Sequence, residues 1–243
     1  MALWHTGAMN AIRTARERAR AELTLEIKRE ARRQLAEVGS AQLSLRSVAR
    51  ALGMASSAIY RYFPSRDELL TALILDAYNA LGDAAEKADR PEAAPRERWM
   101  LVCAAVREWA MAHPHEYALL YGTPVPGYKA PAETLDPGTR IVRRCAEILL
   151  AGRPLRPAFP GPLEAELDGQ MRAVAEAAGL DLRPEEITRL LMAWSQLFGL
   201  VGFELFGQFA NSADPAGPFF RHATAQMADF LGLRRPRPLS AGG

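Results

Sequence analysis

The chain has 243 residues, 49% of them hydrophobic, and a formal charge of +2, which supports a globular core and excludes a low-complexity or intrinsically disordered chain. The apolar stretch from Leu191 to Ala210 contains Glu204 and three glycines and follows a helical period, so it reads as a packed helix and not as a membrane span. The N-terminus MALWHTGAMNAIRT lacks a cationic start followed by an apolar core, and the expected location is the cytoplasm, with no membrane partner.

Charge is unevenly spread. Met1 to Arg66 carries twelve Lys or Arg against five Glu, a net of +7, which leaves the other 177 residues at −5. A basic first quarter on a mildly acidic body fits contact with a polyanion through the N-terminal part. A solvated face on one long helix would also account for the run Arg13 to Arg33.

Helix-spaced apolar residues cover most of the chain, and no alternating β-branched run occurs, so the expected fold class is all-α. The first helix is expected from about Ala11 or Ala21 to Val38, on the spacing of Leu23, Ile27, Ala31 and Leu35, with Gly39 as its stop. Ser44 caps a second helix with inner residues Leu45, Val48, Ala49 and Leu52, and Gly53 turns the chain. A very short third helix opens at Ala55 or Ser56, turns Ile59 and Phe63 inward and stops at Pro64. Ser65 and Glu68 then form a capping box for a long fourth helix. After the segment DRPEAAPRER, Pro95 begins a helix broken at His113-Pro114. A short helix PHEYALLYG follows, then the loop TPVPGYKAPAETLDPG, read as a mobile lid. Further helices are expected from about Gly138 to Leu150, over LEAELDGQMRAVAEAAG, from Pro184 to about Phe209 and from Pro218 to about Leu231. Cys103 and Cys145 fall in apolar helical patterns and are expected as buried, reduced thiols.

Helices two and three, joined through Gly53, have the proportions of a helix-turn-helix, whose second helix enters the major groove. The small residues Ala55 to Ala58 allow close backbone approach, and Tyr60, Arg61 and Tyr62 on one turn can clamp the DNA backbone through phenol hydroxyls and charge. The competing reading makes the tyrosines amphipathic surface residues that close a small core. An enzyme has little foothold: His113-Pro-His115 is a weak metal signature, and neither a G-x-S-x-G nor a phosphate-binding glycine loop occurs. No cofactor and no metal site is expected.

The stretch LSLRSVARALGMASSAIYRYFPSRDELLTALI resembles the DNA-binding segment of the TetR family of bacterial transcriptional regulators, with its G-x-x-x-x-x-[LI]-Y-x-[HY]-F run kept without gaps, over roughly Glu26 to Tyr78. REWAMAHPHEYALLYGTPVPGY is similar to the Trp-His-Gly pattern of one C-terminal subclass of that family, with Trp109, His113 and Gly122. The resemblance implies a homodimer that reads a palindromic operator in double-stranded DNA and is released by a small organic effector, repression being the family default. Carried over by position, Ser44, Tyr60, Tyr62 and Arg66 are expected at phosphates and Arg46, Ser56 and Ser57 at base edges, with Arg61 adding charge.

The domain boundaries expected are 1–25 for a basic N-terminal extension, 26–68 for the helix-turn-helix, 69–233 for a ligand-binding and dimerisation domain and 234–243 for a disordered tail. Aromatic residues with polar edges around the His113-Pro114 break suggest an apolar pocket at Trp109, His113, Tyr117, Tyr121 and Phe198. Apolar residues on more than one face of the helix from Pro184 suggest a twofold interface of the last two helices, with Leu190, Trp194, Leu197, Val201 and Leu205 on the first and Phe219 and Met227 on the second. A fully buried core helix would give the same pattern.

Overall fold

The structure is a computed structural model and describes residues 3–159 and 161–234, with side chains from residue 15 onward. Among them there are ten α-helices and no strand: α1 (Leu3–Val38), α2 (Leu45–Ala51), α3 (Ser56–Ile59), α4 (Arg66–Ala88), α5 (Pro95–Ala112), α6 (Pro114–Tyr121), α7 (Leu135–Ala151), α8 (Ala165–Ala178), α9 (Pro184–Leu205) and α10 (Ala216–Leu231). The expected helix order is present throughout. The largest boundary difference is at the first helix, which begins at Leu3 and not at Ala11 or Ala21. Helix α9 stops at Leu205, short of Phe209, and α7 starts at Leu135 because Pro137 sits in a first turn where its missing N–H costs nothing. The tail expected to be disordered lies outside the described residues, apart from Arg234.

The chain divides into two compact units, residues 1–77 with 115–134, and residues 78–114 with 135–243. In the first, Ile27, Ala31 and Leu35 of α1 pack with Leu43, Leu45, Val48, Ile59, Phe63, Leu69, Leu70 and Leu73 in one core. Gln34 ties α1 to α2 by accepting a 2.6 Å hydrogen bond from the Ser47 hydroxyl. Val125 and Tyr128 also pack on this core, and the Tyr128 and Thr71 hydroxyls are 2.9 Å apart. The first part of the segment expected to be a mobile lid is therefore held on the first unit through Val125 and Tyr128, whereas Leu135 near its end is 67% exposed. Gly122 makes the turn into it: a Cβ there would lie 2.4 Å from the Ala118 carbonyl oxygen.

In the second unit, α9 packs against α5, α7, α8 and α10. Its core holds Trp99, Val102, Cys103, Val106, Ile141, Cys145, Ile148, Leu190, Leu197, Val201 and Met227. Both thiols are buried and unbridged. Trp99 donates its indole N–H to the Thr224 carbonyl at 3.0 Å, so its ring is buried without an orphaned donor. Beside it, Arg98 grips the buried Asp89 carboxylate with two bonds of 2.7 and 2.8 Å. The Arg98 hydrogen bonds hold the Asp89 carboxyl below its ordinary pKa although burial opposes them.

Candidate nucleic-acid interface

Two short helices are held rigidly enough to present side chains outward. Ser44 caps α2 and accepts from the Ser47 N–H at 3.4 Å, and Leu45, Val48 and Ala49 are buried. After Leu52 the chain turns at Gly53, whose φ of +65° lies in the left-handed region. Helix α3 covers only Ser56–Ile59. Four residues cannot hold a helix in water, so its place depends on Ile59, fully buried, and Phe63 next to it. The chain leaves α3 through tight turns in which the Tyr62 and Phe63 N–H groups both donate to the Ile59 carbonyl, at 2.9 and 3.0 Å. This fixes the backbone of Tyr60, Arg61 and Tyr62.

The sequence-predicted contacts separate by environment. Arg46, Ser56, Ser57 and Arg61 are exposed, and Tyr60 is 43% exposed. Tyr62 is half-buried, packed partly on the core, with the Arg20 guanidinium 5.1 Å from its ring centre. Arg66 is turned inward: it donates to the carbonyls of Leu43 at 3.0 Å and Ser40 at 2.7 Å, ending the 3-10 turn that precedes α2. The N–H of Glu68 donates to Ser65 at 3.1 Å, which provides the N-cap half of the expected capping box.

Ion pairs sort the basic residues of this unit further. Lys28 and Arg32 pair with Asp76, Arg32 also with Glu116, and Arg33 with Glu30 and Glu37. Among the described residues Arg16, Arg18, Arg29, Arg46, Arg50 and Arg61 have no such partner, and all are exposed. Sequence reasoning missed Arg20, which donates to the Arg61 carbonyl at 2.8 Å. No local pattern could reveal a hydrogen bond made across 41 residues.

A family model described as "Bacterial regulatory proteins, tetR family" matches residues 27–73, and one described as "Tetracyclin repressor-like, C-terminal domain" matches residues 99–227. The chain belongs to the TetR family of transcriptional regulators. It is 37% identical over 205 residues to the HTH-type transcriptional regulator Rv1816 of Mycobacterium tuberculosis, covering 80% of this chain and 85% of that one, and equally to Mb1846 of Mycobacterium bovis. The solved structure of the regulatory protein SCO4313 is 31% identical with a TM-score of 0.74, over 87% of this chain and 97% of that chain. PfmR of Thermus thermophilus shares the fold at 20% identity and a TM-score of 0.54, over 86% of this chain and 99% of that one. The helix-turn-helix is thus that of a DNA-binding regulator, and the family is not one of enzymes.

The residues expected to hold an effector lie in different surroundings. In the second unit Trp109 is buried and stacks on His113 at 4.9 Å, with His113 Nδ1 2.9 Å from the Trp109 carbonyl oxygen, while Phe198 is buried against Trp194 at 5.0 Å. Tyr117 and Tyr121 belong to the first unit, with ring centres 5.2 Å apart. An open groove of about 720 Å³ in the second unit, lined by Arg153, Pro154, Leu155, Asp181, Arg183 and Glu186, includes none of the residues expected at the pocket.

Four of the seven expected dimer residues need a correction. Leu190, Leu197, Val201 and Met227 are 0–1% exposed within a single chain, so they complete their own subunit's core and have no surface to offer a partner. Trp194 and Leu205 are half-buried, and Phe219 is exposed. The open face of α9 is a different one, with Met192 and Phe203 each 55% exposed. Amphipathicity along the chain marks two apolar faces without saying which one the subunit covers itself.

Proposed function

We propose that this protein is a cytoplasmic, ligand-responsive repressor that binds a palindromic operator as a homodimer and is released by a small organic effector. The observation that carries the DNA reading is the cluster of exposed Arg46, Ser56, Ser57, Tyr60 and Arg61, its two arginines without an ion pair among the described residues, on backbone fixed by Ile59 and the Gly53 turn. Arg46 has the length and fork geometry for bidentate guanine reading, Ser56 and Ser57 suit base edges, and Ser44, Tyr60 and Tyr62 suit phosphates. Arg66 acts as a positioning residue that holds the turn leading into α2.

Dimerisation is assigned to the open face of α9. Met192, Gln196, Gly199, Phe203 and Phe206 follow one another at alternating steps of four and three, which makes a single stripe, and α8 beside it buries none of its residues. Such a stripe is self-complementary about a twofold axis and matches a palindromic site. The effector is placed in the second unit near Trp109, His113 and Phe198, whose aromatic surfaces with few polar atoms suit a flat organic molecule. Its coupling to DNA requires only that it favour a DNA-incompetent state, a hundredfold preference corresponding to about 2.7 kcal/mol.

Selection of DNA fragments from a random library by the purified protein, followed by titration of the bound complex with metabolite extracts, tests the reading. A recovered inverted repeat and release by a fraction of the extract are expected. Binding without sequence preference would remove the operator, and binding that no extract releases would leave a DNA-binding scaffold.

A further inference from the structure

The face of α1 that enters the core changes character at its N-terminal end. Ile27, Ala31 and Leu35 are buried on it, and Leu23 is partly buried at its edge. Upstream on the same side come Arg20 and Arg16, spaced one helical turn apart. Arg20 is not loose: it donates to the Arg61 carbonyl at 2.8 Å and lies 5.1 Å from the centre of the Tyr62 ring. The side of α1 that faces the core therefore runs on to the clamp turn, and one turn beyond that point, about 6 Å further along the axis, it offers Arg16. Arg16 is exposed and has no ion pair among the described residues. Arg18 is equally exposed but lies half a turn round the helix, on the side shared with Glu22 and Glu26.

We propose that the extension of α1 ahead of the helix-turn-helix core is a further DNA-contact element, with Arg16 on a backbone phosphate beside those held by the Tyr60 to Tyr62 turn and Arg20 as the positioning residue that fixes the extension there. It rests on the DNA-binding reading above. Where the core ends, this stripe exchanges apolar side chains for arginines, and duplex DNA seated on Tyr60 and Arg61 would meet that side with the opposite charge. A contact to phosphate alone adds affinity without sequence preference.

The experiment uses the full chain, the duplex selected by the wild type and a random duplex of equal length, each titrated at several salt concentrations with Arg16→Ala and Arg18→Ala. Removing one phosphate-binding arginine lowers the slope of log K against log salt by about 0.9, so removing two copies of Arg16 from one site should lower it by about 1.8, on both duplexes alike. The fall in affinity between about 50 and 200 mM salt should accordingly be roughly tenfold smaller than for the wild type. Arg18→Ala should match the wild type. An unchanged slope for Arg16→Ala, or an equal effect of Arg18→Ala, overturns the inference. Failure of the wild type to bind any duplex would overturn the DNA-binding reading itself, and the two failures are distinguishable.

Discussion

The guanidinium of Arg66 ends the turn before α2 by donating to the main-chain carbonyls of Leu43 and Ser40, 3.0 and 2.7 Å away. These are charge-assisted bonds to main-chain acceptors, each worth about 1.5–3 kcal/mol. Arg66→Ala should lower the unfolding free energy of the first unit, measured in urea, by about 1.5–3 kcal/mol, less than two such bonds would sum to because the guanidinium is partly exposed. Its DNA affinity should be restored in part by stabilising osmolyte, which removal of a phosphate-binding group would not allow. Wild-type stability with weakened DNA binding would return Arg66 to the phosphates.

At the clamp, Tyr60→Phe and Tyr62→Phe should weaken selected and random DNA to the same degree, while Arg46→Ala should lose about 1–3 kcal/mol on the selected site only. Circular dichroism should be unchanged in all three, because Tyr60 and Arg46 are exposed and Tyr62 keeps its ring on the core. A double phenylalanine variant that binds like wild type would refute the clamp.

Dimer formation through the open face of α9 gives a contrast between two positions of similar hydrophobicity. Phe203→Glu, at a residue 55% exposed in one chain, should give a folded monomer by light scattering at micromolar concentration. Leu197→Ala, at a fully buried position, should destabilise each subunit by about 2–5 kcal/mol through the cavity it leaves. A dimeric Phe203→Glu would place the interface elsewhere.

Acid should loosen the second unit through Asp89. Its folded-state pKa is depressed by the Arg98 hydrogen bonds, so the native state binds fewer protons than the unfolded chain near the ordinary carboxylate pKa. The stability it contributes is complete above that range and is lost as pH falls through the lowered folded value. Asp89→Asn should remove this part of the acid sensitivity and, by leaving Arg98 buried without its counter-ion, cost about 3–5 kcal/mol at neutral pH. A variant with the wild-type acid profile would show that other carboxylates govern it.

The two thiols provide a probe of opening. Burial pushes Cys103 well up and Cys145 up to about 12, and a protonated, covered thiol is a poor nucleophile. Alkylation of both should proceed only as fast as the second unit opens, accelerating with denaturant in step with global unfolding. Rapid labelling of either thiol in the native protein would contradict the packing of α5 against α7.

Local patterns in the chain determined most of the helix order and the helix-turn-helix. Glycine at 53, serine at 44 and 65 and proline at 95 and 184 act on backbone within a turn of themselves, and Ile27, Ala31 and Leu35 state a period that any core must respect. What depended on distant residues was undetermined by that grammar. Arg66 carries the same charge as Arg46, but only tertiary structure brings carbonyls from residues 40 and 43 within reach of the first and leaves the second in water. Likewise Leu197 and Phe203 are both apolar on one helix, and which is core and which is open follows from the packing of α5, α7 and α10 around α9. Hydrophobic burial carries no direction of its own, so a sequence can specify that a face must be covered without specifying by what.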